Sequence, residues 1–173
     1  MIEPVRRVHY FPGQVLTAED LQAEQDYHRE MRYLHNRILG YGVVHGLEVS
    51  AGDGSVLLVG PGVAIDRRGR EIVLAGEVRI DVAAVLLDSH TTVDVTVTWR
   101  EEPDALTVLP DGHSGAEAFT RWLERPALTL EPPGQGPAES LVLARVVGAR
   151  GAVTAVDRSG RDVFPGRTAV QGG

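Results

Sequence analysis

Thr91-Thr92-Val93-Asp94-Val95-Thr96-Val97-Thr98-Trp99 alternates between polar and apolar side chains from Thr92 onward. Val93, Val95, Val97 and Trp99 fall on one side of an extended chain, and Thr92, Asp94, Thr96 and Thr98 on the other, because successive strand side chains point to opposite faces. The stretch is therefore a β-strand with one buried face and one face that is wet or meets a partner. An internal strand is the simpler reading; an open edge that pairs with a neighbouring subunit is the alternative.

Downstream, residues 100–121 are polar and rich in Pro, Gly and Asp. They read as a long loop with a short helical turn at 116–120. Trp122 to Leu130 is a further strand, and Pro126 inside it points to a sheet edge. Residues 131–139, with three prolines and two glycines, form a flexible loop. Leu141 to Val147 is a core strand, 148–151 a turn, and Ala152 to Val156 the returning strand. The tail is polar and ends in Gln171-Gly172-Gly173, which predicts mobility.

Upstream, Val78 to Asp81 and Glu71 to Leu74 are strands, separated from Val63-Ala64-Ile65-Asp66 by the tight turn Arg67-Arg68-Gly69. Gly60-Pro61-Gly62 breaks the preceding strand Val56 to Val59, and Asp53-Gly54 is a hairpin turn. Before Gly40 the period changes from 2 to 3.6. Thr17 is a good N-cap with Asp20 at the reciprocal capping position, and Leu16 and Leu21 are spaced as a hydrophobic staple. The helix runs to about Leu39 and stops at Gly40. Leu21, Tyr27, His28, Met31, Leu34, Ile38 and Leu39 form its apolar stripe; Glu19, Gln22, Asp26, Arg29, Arg32 and Asn36 form the opposite face.

One helix followed by about eight short strands with frequent turns predicts an α+β, mainly β chain. The strands should form an antiparallel sandwich or barrel-like sheet. Three segments follow: an arm and helix over 1–42 that docks on something, a β-domain over 43–157, and a flexible tail over 158–173.

Composition narrows the function. The apolar fraction of 43% supports a real core, although aromatics make up only 5%. The net charge of −7 leaves no basic excess for phosphates, which argues against nucleic acid. With no cysteine there is no disulfide, thiolate metal site or cysteine nucleophile. Met1 to Arg7 is polar and no apolar stretch follows it, so no signal peptide is read, and synthesis in the cytoplasm is expected. No run approaches the roughly 18–20 apolar residues of a membrane span.

Chemistry-bearing constellations are weak. His28 and His35 lie two turns apart on the helix, with Glu24 one turn before His28, and the three could line a metal site. Only Glu24 and His28 have the i, i+4 offset of a helical ligand pair. His9 and His45 could approach the helix ends, and the simpler reading packs these histidines against the sheet. The carboxylates Glu19-Asp20, Glu101-Glu102 and Asp104 are better explained as helix-terminal or solvated charge. There is no Gly-x-Ser-x-Gly and no dinucleotide fingerprint. Arg67, Arg68 and Arg70 form a basic hairpin tip that could meet an acidic partner. No cofactor is expected.

Tyr10-Phe11-Pro12-Gly13-Gln14-Val15-Leu16-Thr17-Ala18-Glu19-Asp20-Leu21, Glu24-Gln25-Asp26-Tyr27-His28, His35-Asn36-Arg37 and Gly40-Tyr41-Gly42-Val43-Val44-His45-Gly46-Leu47 resemble small proteins encoded with phage-tail-like contractile injection systems. Gly60 to Asp66, Gly69 to Ile72 and Leu143 to Val146 fit the same pattern. The resemblance implies a structural component, baseplate or tail-fibre-associated, that is a homo-oligomer or is present in several copies in a symmetric particle, binds other tail proteins and does not insert directly into a membrane. It implies no catalytic residue. The candidate contacts are Tyr10, Phe11, Leu16, Tyr27, His28, Met31, His35 and Arg37. Gly13, Gly40, Gly42 and Gly46 supply turns, and Tyr27, His28, His35, Asn36 and Arg37 are expected to fix the helix against the first strand.

Two other functions compete. A carbohydrate- or surface-binding module would need exposed aromatics, drawn from Trp99, Trp122, Phe119 and Tyr41, with 100–121 as the binding loop. A metal-dependent hydrolase would need His28, His35 and Glu24.

Overall fold

The computed structural model describes residues 6–86, 91–108 and 117–165. Among the described residues one helix, α1 (Ala18–Leu39), precedes twelve strands. These are β1 (Gly42–Gly46), β2 (Val49–Ala51), β3 (Val56–Val59), β4 (Gly62–Ile65), β5 (Glu71–Leu74), β6 (Val78–Asp81), β7 (Thr91–Thr98), β8 (Glu101–Val108), β9 (Glu117–Glu124), β10 (Ala127–Glu131), β11 (Leu141–Ala149) and β12 (Ala152–Asp157). They form sheets of order β1-β4-β5, β2-β3-β6, β10-β7-β11-β12 and β8-β9. Every pairing between these strands is antiparallel. The fold is mainly β, and its sheets do not close into a barrel.

One apolar cluster joins three of these sheets. Val43, Ala64 and Ile72 come from the first, Val49, Leu57 and Val59 from the second, and Val93, Val95, Val97, Leu141, Leu143 and Val146 from the third. Aliphatic side chains carry it almost alone, as the low aromatic content requires.

β7 is internal, between β10 and β11. Its polar face is covered rather than wet: Asp94 and Thr96 are as buried as the valines. Arg145 donates two hydrogen bonds to the Asp94 carboxylate, at 2.8 and 3.1 Å. The Gly134 amide donates a third at 2.9 Å. The segment 132–140, read from composition as flexible, is thereby tied down over β7, with internal turns closed by Gln135 N–H to Pro132 and Ser140 N–H to Pro137.

The Arg145 hydrogen bonds hold the Asp94 carboxyl below its ordinary range, against the opposing effect of burial. A group whose folded pKa is depressed contributes stability above its unfolded value, about 3.9 for Asp, and loses it as pH falls through the folded value. The urea midpoint is therefore expected to drop below about pH 4. In Arg145→Met that drop should flatten, and an unchanged pH profile in this variant would remove the assignment.

Two sequence expectations fail here. Residues 109–116 lie outside the described residues, but 100–108 and 117–121 are not a loop with a helical turn. They supply β8 and most of β9, a two-stranded ribbon in register from Glu101–Glu124 to Val108–Glu117. Trp122 to Leu130 is not one strand, because Arg125-Pro126 separates β9 from the edge strand β10. Strand count rises accordingly.

The beginning of the tail is also fixed. Asp162 N–H bonds Val142 O and its carboxylate accepts from Val142 N–H. Val43 N–H bonds Asp162 O, Phe164 N–H bonds Val43 O, and Val163 bridges Val43 in parallel. Arg161 reaches Glu48 at 2.7 Å and the Gly46 carbonyl. Polar composition misled because these contacts are backbone and ionic. Residues 166–173 lie outside the described residues.

Candidate assembly surface

α1 begins with a complete capping box, in which the Thr17 hydroxyl accepts from Asp20 N–H and the Asp20 carboxylate accepts from Thr17 N–H. It ends at Gly40, whose φ of 122° is closed to most side chains. An amphipathic helix normally buries its apolar stripe. This one does the reverse.

The buried helical residues are Tyr33 and Asn36. The Asn36 amide donates to Gly69 O and to the Glu71 carboxylate, both at 2.8 Å. Arg37 donates to Arg68 O, Arg32 pairs with Glu71 at 3.0 Å, and Arg29 with Glu101 at 3.5 Å. Gly69 makes the approach possible, since a Cβ there would lie 2.2 Å from Tyr33 O. The helix thus docks through its polar face onto the β4–β5 turn and the start of β8.

The apolar stripe points outward. Ile38 is 77% exposed, and Leu21, Leu34 and Leu39 are also exposed. Tyr27 and Met31 are half-buried in the same row. The arm adds exposed Tyr10, Phe11, Val15 and Leu16. Tyr10 sits beside Glu24 and Asp20; desolvation, then these carboxylates, raise its phenol pKa.

Not all the singled-out residues anchor the helix. Asn36 and Arg37 do, but onto the β4–β5 turn rather than the first strand. His28 and His35 are exposed, and His28 bonds Glu24 at 3.0 Å instead of packing on the sheet. Tyr27 meets His28 edge-on. Among the described residues no three His, Asp or Glu side chains group as a metal site, so the hydrolase reading has no ligand set there. Gly13, Gly40, Gly42 and Gly46 all have positive φ. At Gly42 a Cβ would lie 2.5 Å from Phe164 N, so the returning tail requires this glycine.

The ribbon is the second exposed feature. Leu106 and Phe119 pair across one face, with Val108 and Leu123 beside them, and all four are exposed. Trp122, 63% exposed, pairs with Pro103 on the other face. An isolated two-stranded ribbon is marginal in water, which makes uncovered apolar side chains on it informative. A polar groove of about 510 Å³ runs between the ribbon and the helix, past Gln22, Gln25, Arg29, Glu101 and Trp122. Trp99 is half-buried beneath Arg70, and Tyr41 lies under Arg67. The four aromatics therefore do not make one platform. Composition concealed the ribbon; the sequence signal that could have found it is the pair of apolar residues Leu106 and Val108 in alternation.

The fold has counterparts among solved structures. The fold resembles TssK. A chain of the TssK-TssF-TssG baseplate subcomplex of the type VI secretion system, seen by cryo-electron microscopy, superposes with a TM-score of 0.56 at 18% identity, over 89% of this chain and 60% of that one. The crystal structure of TssK gives 0.53 at 13% identity, over 89% of this chain and 41% of that one. The chain thus spans about two-fifths to three-fifths of the length of these TssK-type neighbours. No protein-family profile matches the sequence, and no curated protein does.

Proposed function

We propose that the chain is a structural component of a phage-tail-like contractile injection system, baseplate or tail-fibre-associated, that acts through contacts with other tail proteins and not by catalysis. The observation that carries this reading is the helix docked by its polar face, which leaves the apolar stripe and the arm free for a neighbour. The likeness of fold to TssK, a baseplate protein, supports it. So does the ribbon, whose apolar face is uncovered in the isolated chain.

Tail-like particles purified from the source cell should contain the chain in fixed ratio to the sheath protein, by quantitative mass spectrometry. A strain lacking the chain should yield fewer assembled particles. Intact, active particles without the chain would overturn the reading.

A further inference from the structure

Tyr27, Met31, Leu34 and Ile38 follow one another at spacings of four, three and four residues. That is the seam spacing of a helix that pairs with another helix. The docked residues Tyr33 and Asn36 lie on the far side of α1, so the seam faces away from the β-domain.

The flank of the seam says what covers it. Glu30 and Arg37 occupy equivalent positions one heptad apart on the same edge. Both are exposed. When a second α1 lies antiparallel, Met31 of one copy faces Leu34 of the other, and Tyr27 faces Ile38. Glu30 then meets Arg37 of the other copy, and two-fold symmetry makes the same pair twice. A parallel arrangement pairs neither. Arg37 is held ready, since its only hydrogen bond among the described residues is to the Arg68 carbonyl.

We infer that the seam of α1 binds a second copy of this chain in an antiparallel, two-fold symmetric helix pair. The apolar seam supplies the attraction and the Glu30–Arg37 pairs fix the direction. The protein lacks cysteine, so introduced thiols report the pairing cleanly.

Sedimentation of the full chain is expected to show a dimer at micromolar concentration. Ile38→Glu should weaken it by about tenfold or more, a change of about 1.4 kcal/mol. Glu30→Arg and Arg37→Glu should each weaken it by about threefold to tenfold, and the double swap should restore it. Mixed Tyr27→Cys and Ile38→Cys proteins should cross-link to each other in preference to themselves. A wild-type monomer, a dimer untouched by Ile38→Glu, or a double swap that fails to restore association would each overturn the inference. None of these outcomes depends on whether tail particles contain the chain, so this test and that of the proposed function fail separately.

Discussion

Asp66→Ala is expected to cost about 3–5 kcal/mol of folding stability, the scale for breaking a buried ion pair from one side. The Asp66 side chain is fully buried. One oxygen accepts from the Arg68 and Arg70 amides at 2.8 and 2.9 Å, and the other takes Arg70 Nε at 2.6 Å. Alanine leaves two amides and a nearly buried guanidinium without this partner. Glu139, which also reaches Arg70 at 2.7 Å, is half-exposed and offsets only part of the loss. The damage reaches the helix, because Asp66 shapes the turn whose Gly69 carbonyl receives Asn36. Urea denaturation checks the stability, and limited proteolysis within α1 checks the undocking. Asp66→Asn, which keeps one acceptor, should fall between. A loss below about 1 kcal/mol would mean that Glu139 takes over the role.

Gly46→Ala is expected to be nearly as severe, at about 3 kcal/mol or more, from a steric clash added to backbone strain. Gly46 has φ +62°, and a Cβ there would stand 2.0 Å from Pro61 O. That oxygen accepts the Leu47 amide, so the clash also opens a hydrogen bond next to the core. The cross-strand partner, Gly62, is equally tight, with its Cβ position 2.3 Å from His45 O. Gly54 separates the two causes. It has the same φ of +62° but nothing within 4 Å of a Cβ. Gly54→Ala should therefore cost only about 1 kcal/mol, the strain of a left-handed alanine. Equal melting-temperature losses in the two variants would show that strain alone acts.

The helix was legible because its signals are local: the Thr17–Asp20 box and Gly40 announce both ends within one turn. Its orientation was not. Asn36 reaches a backbone carbonyl 33 residues away, and no periodicity encodes a polar docking face. β7 was legible as a strand from its alternation, yet its wet face was misread, because Arg145 covers Asp94 from 51 residues away. The ribbon β8-β9 escaped notice for another reason. Its strands are held by each other rather than by burial, so Pro103, Asp104 and Thr107 give them a loop's composition. The apolar stripe of α1, the main part of the candidate surface, was visible as a pattern, but only the structure turns it outward.

The return of residues 162–164 to β1 also sets an order of events. α1 can dock as soon as the β4–β5 turn exists, a loop of some thirty residues. β1 gains its last neighbour only when Asp162 and Phe164 arrive to bond Val43. A ribosome must therefore have passed residue 164 before this sheet edge is closed, and loop closure over such a span is slow. Until then the growing chain displays an open edge of β1, the feature most prone to wrong partners. The same contact makes Val43 a late reporter: its amide should gain protection from hydrogen exchange after those of α1, in the closing phase of folding.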